Sequence, residues 1–329
     1  WVGAGLSSRV WEKVRLETPI VSLLPTQEIP QGVESVTIPY DVSSPTFYRV
    51  AQASAQDANP GRITQTFTSS RLGTGQRSLT AQKIGAFVPW AQEMTEDSMV
   101  QWIQFLRQDL VREYAEVLEH CVIDGDSDTS ATTNINDIGG TPAGTEPYTM
   151  FDGFRKAALV TNTANSRDGG ALAAADYIDT AQMLGAAGTA GWDKSRVFFT
   201  SDMNTAYATL KISSLESRDY LSMPTIEEGR VTKLYGYRVI RSANMHRMSA
   251  DRLSTATGMV DQDTTGNNTK GAIVAVRSDR WIFGYKRRVT FEVKRDPGSD
   301  ANEIYMHSRI GLLYRDAEAA SAVSYNLTV

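Results

Sequence analysis

Three carboxylates stand close together at Asp124, Asp126 and Asp128, where a long helical pattern ends. Acidic residues at alternate positions are typical of a calcium-binding loop, because Ca²⁺ prefers carboxylate oxygens as ligands. Such a loop also needs glycine at its sixth position and glutamate at its twelfth, where this chain has Thr129 and Ile135. The pattern therefore favours a solvated turn at the helix exit over a metal site.

Other patterns that could support chemistry are weak. His120, His246 and His307 lie far apart in the sequence with no second ligand near any of them, so each is expected at a surface or an interface. Gly73-Thr74-Gly75 lacks the third glycine and the helix of a dinucleotide-binding turn, which favours loop punctuation. Cys121 is the one cysteine, and its place on an apolar helix face favours a buried thiol over a reactive one. We predict no catalytic, cofactor-binding or metal-binding residues.

The densest basic cluster consists of Lys286-Arg287-Arg288 and Lys294-Arg295, on either side of a predicted strand. It could bind phosphate or form ion pairs with acidic loops of a neighbouring subunit. Stacking aromatics of a known nucleic-acid module are not interleaved with it, which favours ion pairing between subunits. The whole chain has 33 basic and 38 acidic residues and a net charge of -5, so it has no global basic field for nucleic acid.

One long amphipathic helix must hold these groups in place. Apolar residues recur at three-and-four spacing from Met99 to Cys121, which predicts one buried face. Thr95 is the predicted N-cap and Gly125 permits the end, so the helix would span about 40 Å. The predicted polar face consists of Gln101, Gln104, Gln108, Arg112, Glu116 and Glu119.

The remaining elements predict an α+β protein with helices and strands in separate blocks. Residues 1–32, broken by three prolines, resemble an extended arm that needs a neighbour to lie on. Alternating patterns predict strands at 36–40, 47–50 and 84–90, with a long hairpin from 47 to 78. Helices are expected at 150–161, 171–184 and, capped by Ser201-Asp202, to about 211, and strands at 196–200, 231–242, 273–276, 281–285, 289–293 and 304–312.

Length and composition limit the class of protein. The chain has 329 residues, of which 41% are hydrophobic, so we expect a globular protein of about two lobes. No apolar run approaches the roughly 18 residues of a membrane span, and no signal peptide is visible. The expectation is a soluble protein of intracellular origin.

Several phrases occur in an order that resembles the tailed-bacteriophage major capsid protein family, the Hong Kong ninety-seven fold. These phrases are Lys83-Ile84-Gly85-Ala86-Phe87-Val88 with Glu96-Asp97-Ser98, Asp124-Gly125-Asp126, Leu234-Tyr235-Gly236-Tyr237-Arg238-Val239-Ile240, and Arg309-Ile310-Gly311-Leu312 followed by the alanines of 317–322. The resemblance covers most of the chain.

The resemblance implies four parts. They are an N-terminal arm at 1–35, an extension-loop β-hairpin with its flanking strands at 36–94, a peripheral domain with the long spine helix at 95–149 and 285–315, and an axial domain at 150–284 and 316–329. The implied assembly residues are Asn59, Arg62, Arg71, Lys286, Arg287, Arg288, Lys294, Arg295 and Asn302.

The resemblance also implies a function. The chain would be a non-enzymatic major capsid protein that forms pentamers and hexamers of an icosahedral head around double-stranded DNA. Portal, scaffold, maturation protease and decoration proteins are the implied partners, with weak non-specific DNA contact, no cofactor and no membrane. Assembly is expected in the bacterial host cytoplasm. A start at Trp1 and not at Met agrees with loss of an upstream segment, by proteolysis or by trimming.

Covalent crosslinking between subunits, which occurs in some members of the family, is not expected. It uses a lysine in the extension loop, and no lysine lies between Lys13 and Lys83. The position of the assisting glutamate, before Arg309, reads Met306-His307-Ser308. The shell would therefore be held by non-covalent contacts.

Two other classes of protein remain as alternatives. An encapsulin-like cellular nanocompartment would share the fold, but the irregular arm ahead of the hairpin argues against it. An unrelated metabolic enzyme would require titratable residues that converge on one cleft, and the sequence offers none to name.

Overall fold

The computed structural model describes residues 18–49, 68–93, 102–129, 134–136, 142–212, 226–227, 230–249, 259–262, 264–298 and 300–329. In chain order the strands are β1 Thr26–Glu28, β2 Ser35–Ser43, β3 Gly73–Thr80, β4 Gln82–Ala91, β5 Ser166–Asp168, β6 Val197–Ser201, β7 Ile226–Glu227, β8 Arg230–Val231, β9 Lys233–Leu234, β10 Tyr237–Arg241, β11 Gly271–Arg277, β12 Trp281–Asp296, β13 Ala301–Tyr314 and β14 Ser321–Leu327. The α-helices are α1 Trp102–Asp124, α2 Phe154–Lys156, α3 Ala175–Gln182, α4 Met203–Leu210 and α5 Ala317–Ala320. The predicted α+β class is confirmed.

A four-stranded sheet has the order β1-β12-β13-β4. Its centre is the long antiparallel hairpin of β12 and β13, whose register runs from Trp281 opposite Tyr314 to Asp296 opposite Ala301. Residues of β13 alternate between buried and half-exposed positions from Ile304 to Ile310, as the period-2 pattern predicts. The register of β12 shifts on both sides of Arg287, so the pairing is irregular at the basic cluster.

A six-stranded mixed sheet has the order β5-β14-β11-β6-β10-β9. All five residues of β6 are buried, and so are six of the seven residues of β11. Strands buried on both faces read as continuous apolar runs, which explains why the sequence pattern found them. Asp202 caps α4 by accepting from the Thr205 amide at 2.9 Å, as predicted.

The largest hydrophobic core joins the two sheets to the end of α1. Trp281 at the start of β12 packs edge-on against Phe154 of α2, with 4.7 Å between the ring centroids. Leu118 and Val122 of α1 belong to the same core, together with Val274 of β11. The C-terminal part of α1 is therefore an internal element of the fold.

Only that part of α1 has a buried apolar face. Leu106, Leu110 and Tyr114 are half-buried, and Ile103 is exposed, whereas Leu118 and Cys121 are buried. The helix is confirmed from residue 102, and its predicted start at Thr95 lies outside the described residues.

The described part of the arm packs on its own chain, so the expectation that it needs a neighbour was wrong there. Ile20, Leu24 and Ile29 are buried. Strand β1 pairs in parallel with β12, with Thr26 opposite Phe283. The three prolines indicated an extended chain, but they did not indicate that this chain would pack against β12.

The hairpin is also built differently from the prediction. β2 pairs with β3, and Gly73 and Gly75 lie inside β3 opposite Ser43 and Tyr40, so the expected loop punctuation is strand. Residues 47–49, expected to be strand, lie outside any strand. Backbone pairing does not need side chains, which is how glycines can extend the ladder.

The predicted strand at 231–242 is interrupted. Tyr235 and Gly236 have positive φ values of 53° and 85° and form the turn between β9 and β10. A two-residue hairpin turn of this handedness favours glycine.

The helix expected at 150–161 is α2 followed by a π-helical stretch, Ala157–Thr161. The strands expected at 281–285 and 289–293 are one strand, β12, so the basic cluster lies within a strand and not on either side of one. The helices expected at 171–184 and up to 211, and the strands expected at 36–40, 84–90, 196–200, 273–276 and 304–312, are confirmed within a few residues. No helix of the described residues is both long and apolar enough to cross a lipid bilayer.

Candidate assembly surface and buried charged centre

The basic cluster divides into paired and unpaired halves. Lys294 Nζ lies 3.7 Å from Glu303 Oε2, and Arg295 Nη2 lies 3.2 Å from Asp300 Oδ1. Both pairs join β12 to β13 or to the turn between them. Because they are exposed, each contributes at most about 1 kcal/mol to the free energy of unfolding. These two cations therefore have acidic partners within their own chain.

The other half of the cluster points its charge outward. Lys286 donates to the Val33 carbonyl at 2.7 Å, which ties β12 to the segment after β1. Arg288 lies over the Tyr285 ring at 5.8 Å. Arg287 is exposed, and no acidic group in the described part of the chain pairs with it or with Arg288. The structure thus presents two arginines that are available to a neighbour.

The remaining candidate residues are scattered. Asn302 donates to the Gln92 side chain where β13 meets the end of β4. Arg71 is exposed just before β3. Asn59 and Arg62 lie outside the described residues.

Apolar side chains add to the exposed surface. Phe87 of β4 stacks on Tyr305 of β13 with 4.9 Å between ring centroids, yet half of Phe87 remains exposed. Val111 of α1 and Val293 of β12 are also exposed. Trp192 is 80% exposed in the loop before β6. The apolar pattern of α1 predicts that one face of the helix is buried. In the single chain, part of that face is exposed to solvent.

The end of α1 is a buried charged centre, and the expectation of a solvated turn was wrong. Asp124 and Asp126 are completely buried. Arg155 Nε of α2 donates to Asp124 Oδ1, and Lys156 Nζ lies 2.8 Å from Asp126 Oδ2. Two buried ion pairs therefore join α2 to the end of α1 and to the segment that follows it. The one signal in the sequence was the adjacent pair Arg155-Lys156. Two adjacent basic residues are typical of a helix surface, so the sequence did not indicate that they contact the aspartates.

Residues 134–136, which follow α1 in the sequence, contact the same centre. The Ile135 amide donates to Asp126 Oδ2 at 2.8 Å, and Asn136 Nδ2 donates to the Asp124 carbonyl at 2.7 Å. Burial raises the pKa of Asp126 above its ordinary value, and the Lys156 ion pair and backbone donors only partly oppose this. These bonds hold residues 134–136 against the helix end.

Two of the histidines are neighbours, contrary to expectation. The rings of His120 and His246 lie 4.5 Å apart between centroids. His120 Nδ1 lies 3.5 Å from Asp124 Oδ2, one helical turn away. Burial and the nearby His120 lower the pKa of His246 to about 4. A separation of 126 positions hid this pair, and the i, i+4 spacing of His120 and Asp124 was its one sequence signal.

Glu119 was assigned to the polar face and is instead completely buried. Its carboxylate accepts from the Ile20 amide at 3.0 Å and from Ser242 Oγ at 2.6 Å. Burial raises the pKa of Glu119, while these donors favour the charged form. This residue therefore links the arm, α1 and the segment after β10.

Cys121 is completely buried, as predicted. Burial and the nearby Asp124 raise the pKa of its thiol to about 12. The thiolate form is thus strongly disfavoured.

A family model with the description "Phage capsid family" matches residues 2–319. The chain belongs to the phage capsid family. It is therefore a structural protein of a virus shell, and the family match covers every described helix and strand up to β13. A search of curated protein sequences returned no match.

Solved structures share the fold of this capsid protein at low sequence identity. A chain from Microbacterium phage Oxtober96 is 16% identical with a TM-score of 0.62, covering 98% of this chain and 95% of that one. The capsid of a native GTA particle is 14% identical with a TM-score of 0.65, covering 100% and 96%. A chain from Mycobacterium phage Adephagia is 14% identical with a TM-score of 0.63, covering 100% and 95%. Each comes from a phage or a GTA particle, and the shared fold agrees with the family match.

Proposed function

We propose that this capsid protein assembles as pentamers and hexamers into the icosahedral head of a tailed bacteriophage, which encloses double-stranded DNA. The family match over residues 2–319 carries the proposal. Rings around rotation axes require heterologous contacts, in which two different surfaces of one chain meet on adjacent copies. The outward arginines of β12 and the exposed apolar residues of α1 and β4 are suited to such contacts.

Four parts would act in the shell. The arm at 1–35 and the hairpin segment at 36–94 would reach between subunits, the peripheral domain at 95–149 and 285–315 would carry the spine helix, and the axial domain at 150–284 and 316–329 would surround the capsomer axis. The pairing of β2 with β3 supports the hairpin assignment. The buried charged centre supports a rigid connection between the spine helix and α2.

The outward arginines would form ion pairs with an acidic surface of the adjacent subunit. Arg287 and Arg288 support this role because their own chain leaves them unpaired within the described residues. Packaged DNA would make only weak, non-specific contact, in keeping with the net charge of -5. The contacts between subunits would be non-covalent, and the chain would have no catalytic role.

Portal, scaffold, maturation protease and decoration proteins would be the partners, and the shell would assemble in the bacterial cytoplasm. These partners follow from the kind of particle that the family forms. Arg71, Asn302 and the loop positions Asn59 and Arg62 are the further proposed contact residues.

Arginine-to-alanine substitutions test the assembly surface. We expect the R287A/R288A variant to fold and to give fewer closed shells and more free capsomers than the wild type by electron microscopy and sedimentation. The K294A/R295A variant is the matched control, because those cations are paired within the chain. It should form shells in wild-type yield.

The same experiment separates the two interpretations of the basic cluster. If R287A/R288A forms shells in wild-type yield but these shells retain less nucleic acid, the two arginines bind phosphate and do not contact a neighbouring subunit. If the variant forms shells in wild-type yield with an unchanged content of nucleic acid, the result would contradict any assembly role for these two arginines.

A further inference from the structure

Three metal-ligating side chains converge at the end of α1. His120 and Asp124 lie one turn apart on the same helix face. His246 comes from the segment after β10 and faces His120. The potential ligand atoms of the three residues all lie within 4.8 Å of one another, and no other group in the described part of the chain meets this arrangement.

The distances approach those of a coordination shell. Ligand atoms about 2.0–2.1 Å from a tetrahedral Zn²⁺ ion are separated from one another by about 3.3 Å. His120 Nδ1 lies 3.5 Å from Asp124 Oδ2 and 3.2 Å from the Asn244 carbonyl oxygen. The ligand atom of His246 lies within 4.8 Å of the other two, so shifts of at most about 1.5 Å would close the cluster onto an ion.

Two atoms of the cluster lack a hydrogen-bond partner. Among the described residues, Asp124 Oδ2 is buried and accepts no hydrogen bond, with His120 Nδ1 3.5 Å away, whereas Asp124 Oδ1 accepts from Arg155. His246 Nδ1 is also buried and unpartnered. Buried polar atoms are nearly always satisfied, so an orphaned carboxylate oxygen beside an orphaned imidazole nitrogen calls for a bound species between them.

We propose that His120, Asp124 and His246 bind one transition-metal dication of the Zn²⁺ type, which fastens the end of α1 to the segment after β10. The Asn244 carbonyl or a water molecule completes the coordination. This site goes beyond the role in shell assembly and replaces the expectation of no metal-binding residue.

The surrounding groups fit a metal that prefers nitrogen ligands. His120 and His246 supply imidazole nitrogens as two of the three ligands. Gln262 Nε2 donates to Asn136 Oδ1 at 2.8 Å and lies 3.3 Å from His120 Nε2, so this amide group fixes the orientation of the His120 ring. The site therefore has an outer group that orients one ligand.

The nearby cation determines which metals can bind. Arg155 pairs with Asp124 and repels any positive ion, so charge attraction alone would not hold Mg²⁺ or Ca²⁺. Imidazole ligands favour Zn²⁺, Ni²⁺ and Cu²⁺ over those hard cations. An open cavity of about 200 Å³ has His246, Asp202 and Asn268 in its wall, so one of the three ligands borders a space that solvent can enter.

Metal content of untagged, full-length protein tests the site. Particles or capsomers are stripped with a chelator, equilibrated with ZnCl₂ or MgCl₂, dialysed, and assayed for metal per chain by mass spectrometry. We expect one zinc per chain, no retained magnesium, and a Tm that rises with zinc. H246Q should bind zinc at least about tenfold more weakly by titration calorimetry.

The third histidine provides the matched control. His307 lies on β13 beside Glu292, outside the cluster, so H307Q should retain zinc like the wild type. Equal zinc in wild type and H246Q, or equal retention of zinc and magnesium, would overturn the proposal and leave a buried water as the bound species.

A spectroscopic measurement on the wild type does not depend on the folding of any variant. Electron paramagnetic resonance of the Cu²⁺-loaded protein should show coupling to two imidazole nitrogens. Coupling to one nitrogen or to none would contradict the site.

Discussion

Gly125 has the tightest backbone surroundings at the end of α1. A Cβ atom there would collide with the carbonyl oxygens of Cys121 and Phe151, which are backbone atoms that cannot rotate away. We expect G125A to lower the free energy of unfolding by about 1–3 kcal/mol, because overpacking forces the backbone apart. Urea denaturation of unassembled subunits measures this difference.

Gly144 is the matched control for that substitution. Nothing lies within 4 Å of a Cβ built there, so G144A should leave the urea midpoint unchanged. Equal midpoints for G125A and the wild type would show that the two segments are not packed as closely as described.

Arg155 and Asp124 form a buried ion pair at the same helix end. Both side chains are completely buried, so R155M would leave the Asp124 charge without compensation. Breaking such a pair costs about 3–5 kcal/mol. We expect R155M to lower the Tm strongly, and the double variant D124N/R155M to recover part of the loss.

Arg295 offers the comparison at the surface. Its pair with Asp300 is 65% and 61% exposed, so R295M should cost less than about 1 kcal/mol. Similar losses of stability for R155M and R295M would argue against the buried charged centre.

At the scale of elements, Glu119 holds the arm to α1. E119A would leave the buried Ile20 amide and the Ser242 hydroxyl without their acceptor, at a cost of about 1–3 kcal/mol. We expect faster proteolysis within residues 18–29 and a lower Tm. E119Q keeps an acceptor oxygen and should have a smaller effect on both measurements.

The opposite ranking, or an arm equally protected in E119A, would remove the assigned role of Glu119. In that case the burial of Ile20, Leu24 and Ile29 alone would hold the arm in place.

The sequence predicted elements well where their signals are local. Each of these signals depends on residues that are close together in the sequence. The structure confirms the elements that they predicted, namely the buried strands β6 and β11, the Asp202 cap and the helix α1 from residue 102. The breaks at Tyr235-Gly236 and the placement of β3 depended on turn geometry and strand pairing, which residue patterns specify less well.

The buried charged centre could not be predicted in the same way. Glu119, Asp124 and His120 carry polar side chains at positions that read as helix surface or helix exit. Their burial follows from segments that are 31 to 126 positions away, such as Arg155 and His246. Contacts between residues that are far apart in the sequence leave no local pattern in a single sequence. Thus the assembly residues came from the resemblance and the charge pattern, whereas the buried cluster came only from the structure.

At the scale of the whole molecule, the segment between β2 and β3 can be tested by shortening. Ser43 and Gly73 are paired at the end of the ladder, so an Asn-Gly turn in place of residues 44–72 can join the two strands. We expect a folded subunit with a wild-type circular dichroism spectrum that does not close shells. Normal particles from this variant would contradict the role proposed for the segment in contacts between subunits.

Cryo-electron microscopy of the expressed full-length protein, alone and with any co-encoded protease, tests the central claim most directly. The account predicts closed polyhedral shells, or rings of five and six subunits, in which the outward arginines of β12 lie at a contact between copies. A stable monomer or small dimer at high concentration, with no particles under any maturation condition, would contradict it.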